Sequence, residues 1–235
     1  MRFNEPGFKV GKSSLQKILK LIVNNDFNSI DWVVLSGSLS PGIPDKFYGT
    51  IIEKIHTRTV KTFIALDADG TQLKNGVVAK PDLIKPNIWE LQRLISRKIR
   101  RFDQIKRAGQ YFLNNGINFV LITMGENGSL GFSKQGCFYV KVPQVKCLNS
   151  VGCGDVFLGG FILKFSETKN FAESLRYAAS AGTAKASKFN TDVPGIEDVK
   201  KILKKTSIQA LDALSERTKK QLLREMPEKK SIKGL

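Results

Sequence analysis

Apolar positions near the start of the chain keep a helical period. Leu15, Ile18, Leu19 and Ile22 fall at i, i+3, i+4 and i+7, one buried stripe, with Ser13 and Ser14 placed to cap it. The period then collapses to a short apolar run, Trp32-Val33-Val34-Leu35, the pattern of a strand covered on both faces. A helix to about Thr57, a strand over Thr62–Asp67, a turn at Gly70, a short strand Leu83-Ile84 and a helix after Asn87 follow. A helix from about Phe102 to Asn114, stopped by Gly116, leads into a strand over Asn118–Thr123. Ser129–Ser133 and Cys137–Val142 read as an antiparallel pair around Lys134-Gln135-Gly136, and helices are predicted over Phe157–Phe165, Phe171–Lys188 and Ile196–Lys205. Strands alternating with helices need crossover connections, which predicts an α/β fold with a mostly parallel sheet flanked by helices.

Composition narrows the picture only in part. With 235 residues, 41% of them hydrophobic, the chain can bury one large α/β core, and residues 1–205 read as that domain. From Thr206 the texture turns charged and sparsely apolar, so 206–235 reads as a basic C-terminal extension, helical or disordered. Met1–Phe8 shows no strand alternation and reads as a segment entered midway. The absence of a membrane-length apolar run and of a basic-then-apolar leader predicts a soluble cytoplasmic protein. Cys137, Cys147 and Cys153 form no Cys-x-x-Cys pair, and His56 is the single histidine, so neither a zinc site nor a disulfide framework is indicated. The net charge of +17 is spread along the helices without the interleaved aromatics of a base-stacking surface, so a lysine-rich proteome or a site for phosphorylated small molecules explains it as well as a nucleic-acid partner would, and nucleic acid is not the favoured partner.

Five stretches carry candidate chemistry. The loop Ser36–Pro44 is dense in turn formers and small hydroxyls at a strand's C-terminal end, a place for a ligand or a plain junction into a helix with Pro44 near its start. Asn87 can cap the following helix with Glu90 at N3. Gly125 and Gly128 let backbone approach a ligand or simply turn a hairpin. In Asn149–Ile162, Gly152 and Gly154 strip side chains from a turn so that N–H groups can converge on an anion at a helix start, and Asp155 either caps that start or works in it. Small residues from Ala178 to Ala186 allow close helix packing or contact with a flat purine.

Taken in order, Asn4-Glu5-Pro6-Gly7, Ser36-Gly37-Ser38-Leu39-x-Pro41-Gly42, Lys85-Pro86-Asn87-x-x-Glu90, Thr123-x-Gly125-x-x-Gly128 and Asn149-Ser150-Val151-Gly152-Cys153-Gly154-Asp155 form a series. The series resembles the PfkB (ribokinase-like) carbohydrate kinases, within them the 1-phosphofructokinase and tagatose-6-phosphate kinase branch, over about Phe3–Lys205. The resemblance implies ATP-dependent phosphorylation of a phosphosugar. Asp155 would be the general base, and the N–H groups of Gly152, Cys153, Gly154 and Asp155 the anion hole. Asn87 and Glu90 would place Mg2+ and the nucleotide phosphates, largely through water. It further implies that Thr123, Gly125 and Gly128 form the nucleotide loop, that Ala179 lies along the adenine pocket, and that Ser36, Gly37 and Ser38 lie near the sugar.

Departures from the family pattern are specific. Cys153 stands where alanine is usual, Asn149-Ser150 replaces Asp-Thr, and Ser40 replaces proline. The resemblance begins well inside the pattern, so the N-terminal strand with its sugar-binding acid, a Gly-Gly-Lys element and a β lid are expected to be missing. A catalytically inactive nucleotide-binding or regulatory fragment is the alternative reading. A homodimer or a complementing N-terminal fragment are the partners it leaves open.

Overall fold

A computed structural model describes residues 7–189 and 191–224. Asn4-Glu5-Pro6 and the basic end from 225 onward lie outside the described residues. The chain divides into two compact units, one of residues 1–97 and 112–121, the other of 98–111 and 122–235, a division that hydrophobic patterning does not mark.

In chain order the first unit holds α1 (Lys12–Asn24), β1 (Trp32–Ser36), α2 (Phe47–His56), β2 (Phe63–Asp67), α3 (Gly70–Val78), β3 (Leu83–Ile84) and α4 (Ile88–Leu94). The end of α5 (Phe102–Asn114) and the start of β4 (Phe119–Thr123) complete it. β1 to β4 are parallel, with Ser36 opposite Asp67, Leu66 opposite Ile84 and Ile84 opposite Val120. Ile64, Ala65, Leu66, Leu83 and Ile84 are all fully buried, as their unbroken apolar runs require. At the N-terminal ends of these strands Trp32 stacks on Phe63 at 4.8 Å. Asp82 accepts from Ile64 N at 2.8 Å and from Asn118 Nδ2 at 2.7 Å, which ties β2 to the entry of β4.

Two helices of this unit differ from their sequence pattern. α1 begins at Lys12 on Gly11, with no side-chain cap, so Ser13 and Ser14 lie inside its first turn. α3 occupies the stretch read only as a turn. Its Gly76 and α2's Gly49 are forced by approach, since a Cβ would meet Leu66 Cδ2 at 2.4 Å and Asn75 O at 3.1 Å respectively. Packing overrides the poor helix propensity of a two-glycine segment there.

The second unit contains β5 (Ser129–Ser133), β6 (Gly136–Lys141), α6 (Cys153–Thr168), α7 (Phe171–Ala186), α8 (Ile196–Leu203), β7 (Ser207–Ala210) and α9 (Glu216–Arg224). β5, β6 and β7 form antiparallel pairs in that order, so the parallel pattern expected of the sheet belongs to the first unit. α7 packs on β5, β6 and β7 and is flanked by α6 and α8. Phe161 meets Phe171 edge to face at 5.8 Å within this layer. Residues 206–224, read from composition as extension, add a strand to β6 and bury Leu211, Leu214 and Leu222.

Candidate active site

In the first unit the candidate residues gather at the C-terminal ends of parallel strands, where open α/β sheets bind ligands. β1 ends at Ser36, and Gly37 turns away with φ +88°, its N–H donating to Asp67 O at 3.0 Å. Tyr48 of α2 donates its hydroxyl to Ser36 O at 2.8 Å, anchoring the loop from below, and burial together with nearby Asp67 pushes the phenol above its ordinary pKa. Ser36, Gly37 and Ser38 are exposed, and a Cβ at Gly37 would meet nothing within 4 Å.

Beside that loop, Asp67 at the end of β2 pairs with Lys85 just past β3. The ion pair measures 3.0 Å, with 14% and 6% of the two side chains exposed. A pair this withdrawn from water is sensitive to any third charge placed near it. Two residues on, Asn87 Oδ1 accepts from Trp89 N at 2.9 Å and Glu90 N at 3.0 Å. Glu90 returns the contact, accepting from Asn87 N at 2.9 Å and Asn87 Nδ2 at 2.6 Å. The capping box read from sequence is therefore closed. Burial raises the Glu90 carboxyl above the usual range, opposed by the Asn87 backbone hydrogen bond and Lys85 and assisted by Asp69 and Asp67.

Asn87 and Glu90 fit an Mg2+ held through water better than direct ligation. Both carboxylate oxygens of Glu90 already accept within the box, and each keeps a second lone pair for a water proton. Direct coordination would open the cap. Among the described residues, no group of three or more His, Cys, Asp or Glu is placed to hold a metal ion by itself.

The second unit holds the glycine turn. Gly152 has φ +79°, α6 starts at Cys153, four residues before the predicted helix, and no side chain caps it. Asn149 Oδ1 braces the turn by accepting from Val151 N at 2.9 Å, and Leu148 N donates to Ala186 O at 2.8 Å. Cys153 N leans towards Ser150 O at 3.4 Å, and Val156 N donates to Gly152 O at 2.9 Å. The N–H groups of Gly154 and Asp155 meet no acceptor among the described residues. Asp155, exposed in this first turn, accepts no hydrogen bond among them either, so the capping role open to it in the sequence is not taken up.

The small residues of α7 are used for packing. A Cβ at Gly160 of α6 would lie 3.1 Å from Ala181 Cβ, and one at Gly182 would lie 3.1 Å from Cys153 O. Gly182 thus lets α7 bear on the first residue of α6. Ala179 is buried on the same helix. The loop glycines after β4 separate in kind. Gly125 has φ +64° with nothing within 4 Å of a Cβ, whereas a Cβ on Gly128, at φ +84°, would lie 2.0 Å from Val140 O. Gly128 is explained by β6 alone; Gly125 opens onto space, and Thr123 closes β4 beside it.

Sequence reasoning passed over Asp67, and Lys85 as a charge. Asp67 carried one signal, its place as the last residue of a buried strand.

Comparison with known proteins bears on these two clusters. The profile of the family described as "pfkB family carbohydrate kinase" matches residues 10–198. The chain is 28% identical over 203 residues to the ATP-dependent 6-phosphofructokinase isozyme 2 of Escherichia coli, covering 86% of this chain and 64% of that protein. It is 30% identical over 190 residues to the 1-phosphofructokinase of Borreliella burgdorferi, covering 80% and 59%. Among solved structures, phosphofructokinase-2 from Escherichia coli in complex with potassium superposes with a TM-score of 0.80 at 26% identity, over 87% of this chain and 65% of that one. The chain spans about three-fifths to two-thirds of the length of these relatives.

Proposed function

Because the chain belongs to the pfkB family of carbohydrate kinases, we propose that it serves transfer of the γ-phosphoryl group of ATP to a hydroxyl of a phosphosugar, fructose 1-phosphate or tagatose 6-phosphate. The observation that carries this reading is the start of α6. A left-handed glycine leaves backbone N–H groups without acceptors beside a carboxylate that caps nothing.

In this mechanism Asp155 takes the proton of the attacking hydroxyl, and the N–H groups of Gly152, Cys153, Gly154 and Asp155 face the charge that builds on the transferring phosphoryl group. Phosphoryl transfer asks little covalent chemistry of the protein, so a rigid set of donors and one base suffices. Cys153 keeps its N–H and so keeps its place in the hole. Asn87 and Glu90 would hold Mg2+ through water, and the ion would supply neutralisation of phosphate charge. Gly125 lets backbone approach the nucleotide, with Thr123 and Gly128 framing that loop. Ala179 lies along the base, and Ser36, Gly37 and Ser38 face the sugar.

Asp155→Asn tests the reading. Phosphoryl transfer from Mg-ATP to either sugar phosphate should fall roughly 10²- to 10⁴-fold while ATP binding persists; undiminished turnover refutes the assignment. The share of its relatives' length that the chain covers favours a second reading. Here the stretch holds nucleotide without catalysis, and the acceptor is held by a segment outside it or by a second copy. ATP binding without turnover, even with a fragment supplying the remaining length, would support that reading.

A further inference from the structure

The loop that leaves β1, Ser36 to Gly42, is held by three separate elements. Tyr48 of α2 donates to Ser36 O at 2.8 Å and reaches Gly37 O at 3.2 Å, and Leu39 N donates to Gln72 Oε1 of α3 at 3.4 Å. The far end is held by the segment Gly7–Val10, where Val10 N donates to Pro41 O at 2.7 Å. Missing side chains let that segment come so close. Gly42 has φ +91°, and a Cβ there would lie 2.3 Å from Val10 O, while a Cβ on Gly7 would lie 2.7 Å from Ser40 Oγ. Gly7 ends the Asn4-Glu5-Pro6-Gly7 motif, so the loop accounts for that motif's glycine. Beyond Val10 the chain enters α1 at Gly11, and α1 packs on α2, the helix that also supplies Tyr48.

The stretch these braces leave bare is Ser36–Ser38, exposed, with open space around Gly37. A loop with left-handed glycines at both ends, φ +88° at Gly37 and +91° at Gly42, has much conformational freedom to lose when a ligand orders it. Fixing both ends beforehand removes that cost from binding. We propose that Gly7–Val10 is a strap that holds the loop in the shape that takes the phosphosugar, with Val10 and Gly42 as positioning residues. This inference rests on the assignment of Ser36, Gly37 and Ser38 to the sugar made above. It adds residues that meet the loop from behind and lie outside its own motif.

The test is which ligand loses affinity in the full chain. Wild type, Gly42→Ala, which drives a methyl into Val10 O, and Val10→Pro, which removes the donor to Pro41, are titrated by calorimetry with AMP-PNP and Mg2+. Each is then titrated with fructose 1-phosphate and with tagatose 6-phosphate in the presence of both, and thermal melting is followed in parallel. Gly11→Ala is the comparison, since its backbone lies at φ −79° and a Cβ there meets nothing within 4 Å. The expected result is a loss of roughly tenfold in sugar phosphate affinity for the first two variants, with AMP-PNP affinity within about twofold and Gly11→Ala like wild type. Equal loss for sugar phosphate and nucleotide, unchanged sugar phosphate affinity, or the same loss in Gly11→Ala overturns the proposal. Val10→Pro carries the comparison if Gly42→Ala does not fold, and failure of both to fold overturns it too, because the contact would then hold the whole unit and not the loop. Wild type that binds neither sugar phosphate refutes the assignment of the loop and this inference with it, whereas wild-type affinity in the variants refutes the strap alone.

Discussion

Alanine at Gly125 and at Gly128 should have sharply different effects although both glycines have positive φ. At Gly125 the backbone sits at φ +64° and the new methyl meets nothing within 4 Å. The left-handed penalty of about 1–2 kcal/mol is partly offset by the reduced freedom of the unfolded chain, leaving roughly 1 kcal/mol. At Gly128 the backbone lies at φ +84°, ψ −136°, a region nearly restricted to glycine, at about 1–3 kcal/mol. The methyl would also stand 2.0 Å from Val140 O, on the residue that pairs with Ser129 across β5 and β6. Relieving that contact means moving backbone and loosening the Met124 N to Gly128 O bond of 2.9 Å, roughly 1–3 kcal/mol more. Gly128→Ala should therefore lose about 2–6 kcal/mol out of a typical total of roughly 5–15. Urea denaturation at pH 7 measures both variants. Binding of Mg-ATP to Gly125→Ala then asks whether the open side of that glycine meets nucleotide, with a loss of roughly tenfold expected from a misfitted contact. Equal stability of the two variants would refute the assignment of Gly128 to strand packing.

Other consequences are as direct. Because burial raises the Glu90 carboxyl in the folded protein, the folded state keeps that proton to higher pH than the unfolded chain does. Its stabilising contribution is present below the ordinary carboxylate value and is lost as pH rises through the folded one. The stability difference between wild type and Glu90→Gln should thus move in favour of wild type between pH 7 and pH 5, and movement the other way would show that the cap, not burial, governs Glu90. Leu211→Ala should cost about 2–5 kcal/mol by thermal or urea unfolding, since the residue is 2% exposed next to β7; a neutral result would return residues 206–224 to the status of an extension. Cys153→Ala should leave Mg-ATP affinity within about twofold by calorimetry, because only its N–H takes part in the hole, and a large loss would give the thiol a role of its own.

Much of the secondary structure is local in origin and was legible for that reason. The β3 pair Leu83–Ile84, the β5 strand Ser129–Ser133 and helix α5 over Phe102–Asn114 lie where period and turn residues put them. The Asn87–Glu90 box also closes as its spacing suggests, since all of its atoms lie within four residues. α3 escaped notice because its Gly76 answers to Leu66 and its Asn75 to Gly49 of α2, and β7 because its pairing partner is β6, some seventy residues earlier.

By itself, then, the sequence determined the α/β class, the order of the motifs and the glycine turn with Asp155 in its mouth. All of these follow from period, backbone freedom and residue type over short stretches. Only the tertiary structure decided that Asp155 caps nothing, that Gly128 belongs to β6 while Gly125 faces open space, and that Gly42 lies against Val10. Each of those depends on a second segment brought close by packing, and a charge or a missing side chain has no meaning for a site until its neighbour across the fold is in place.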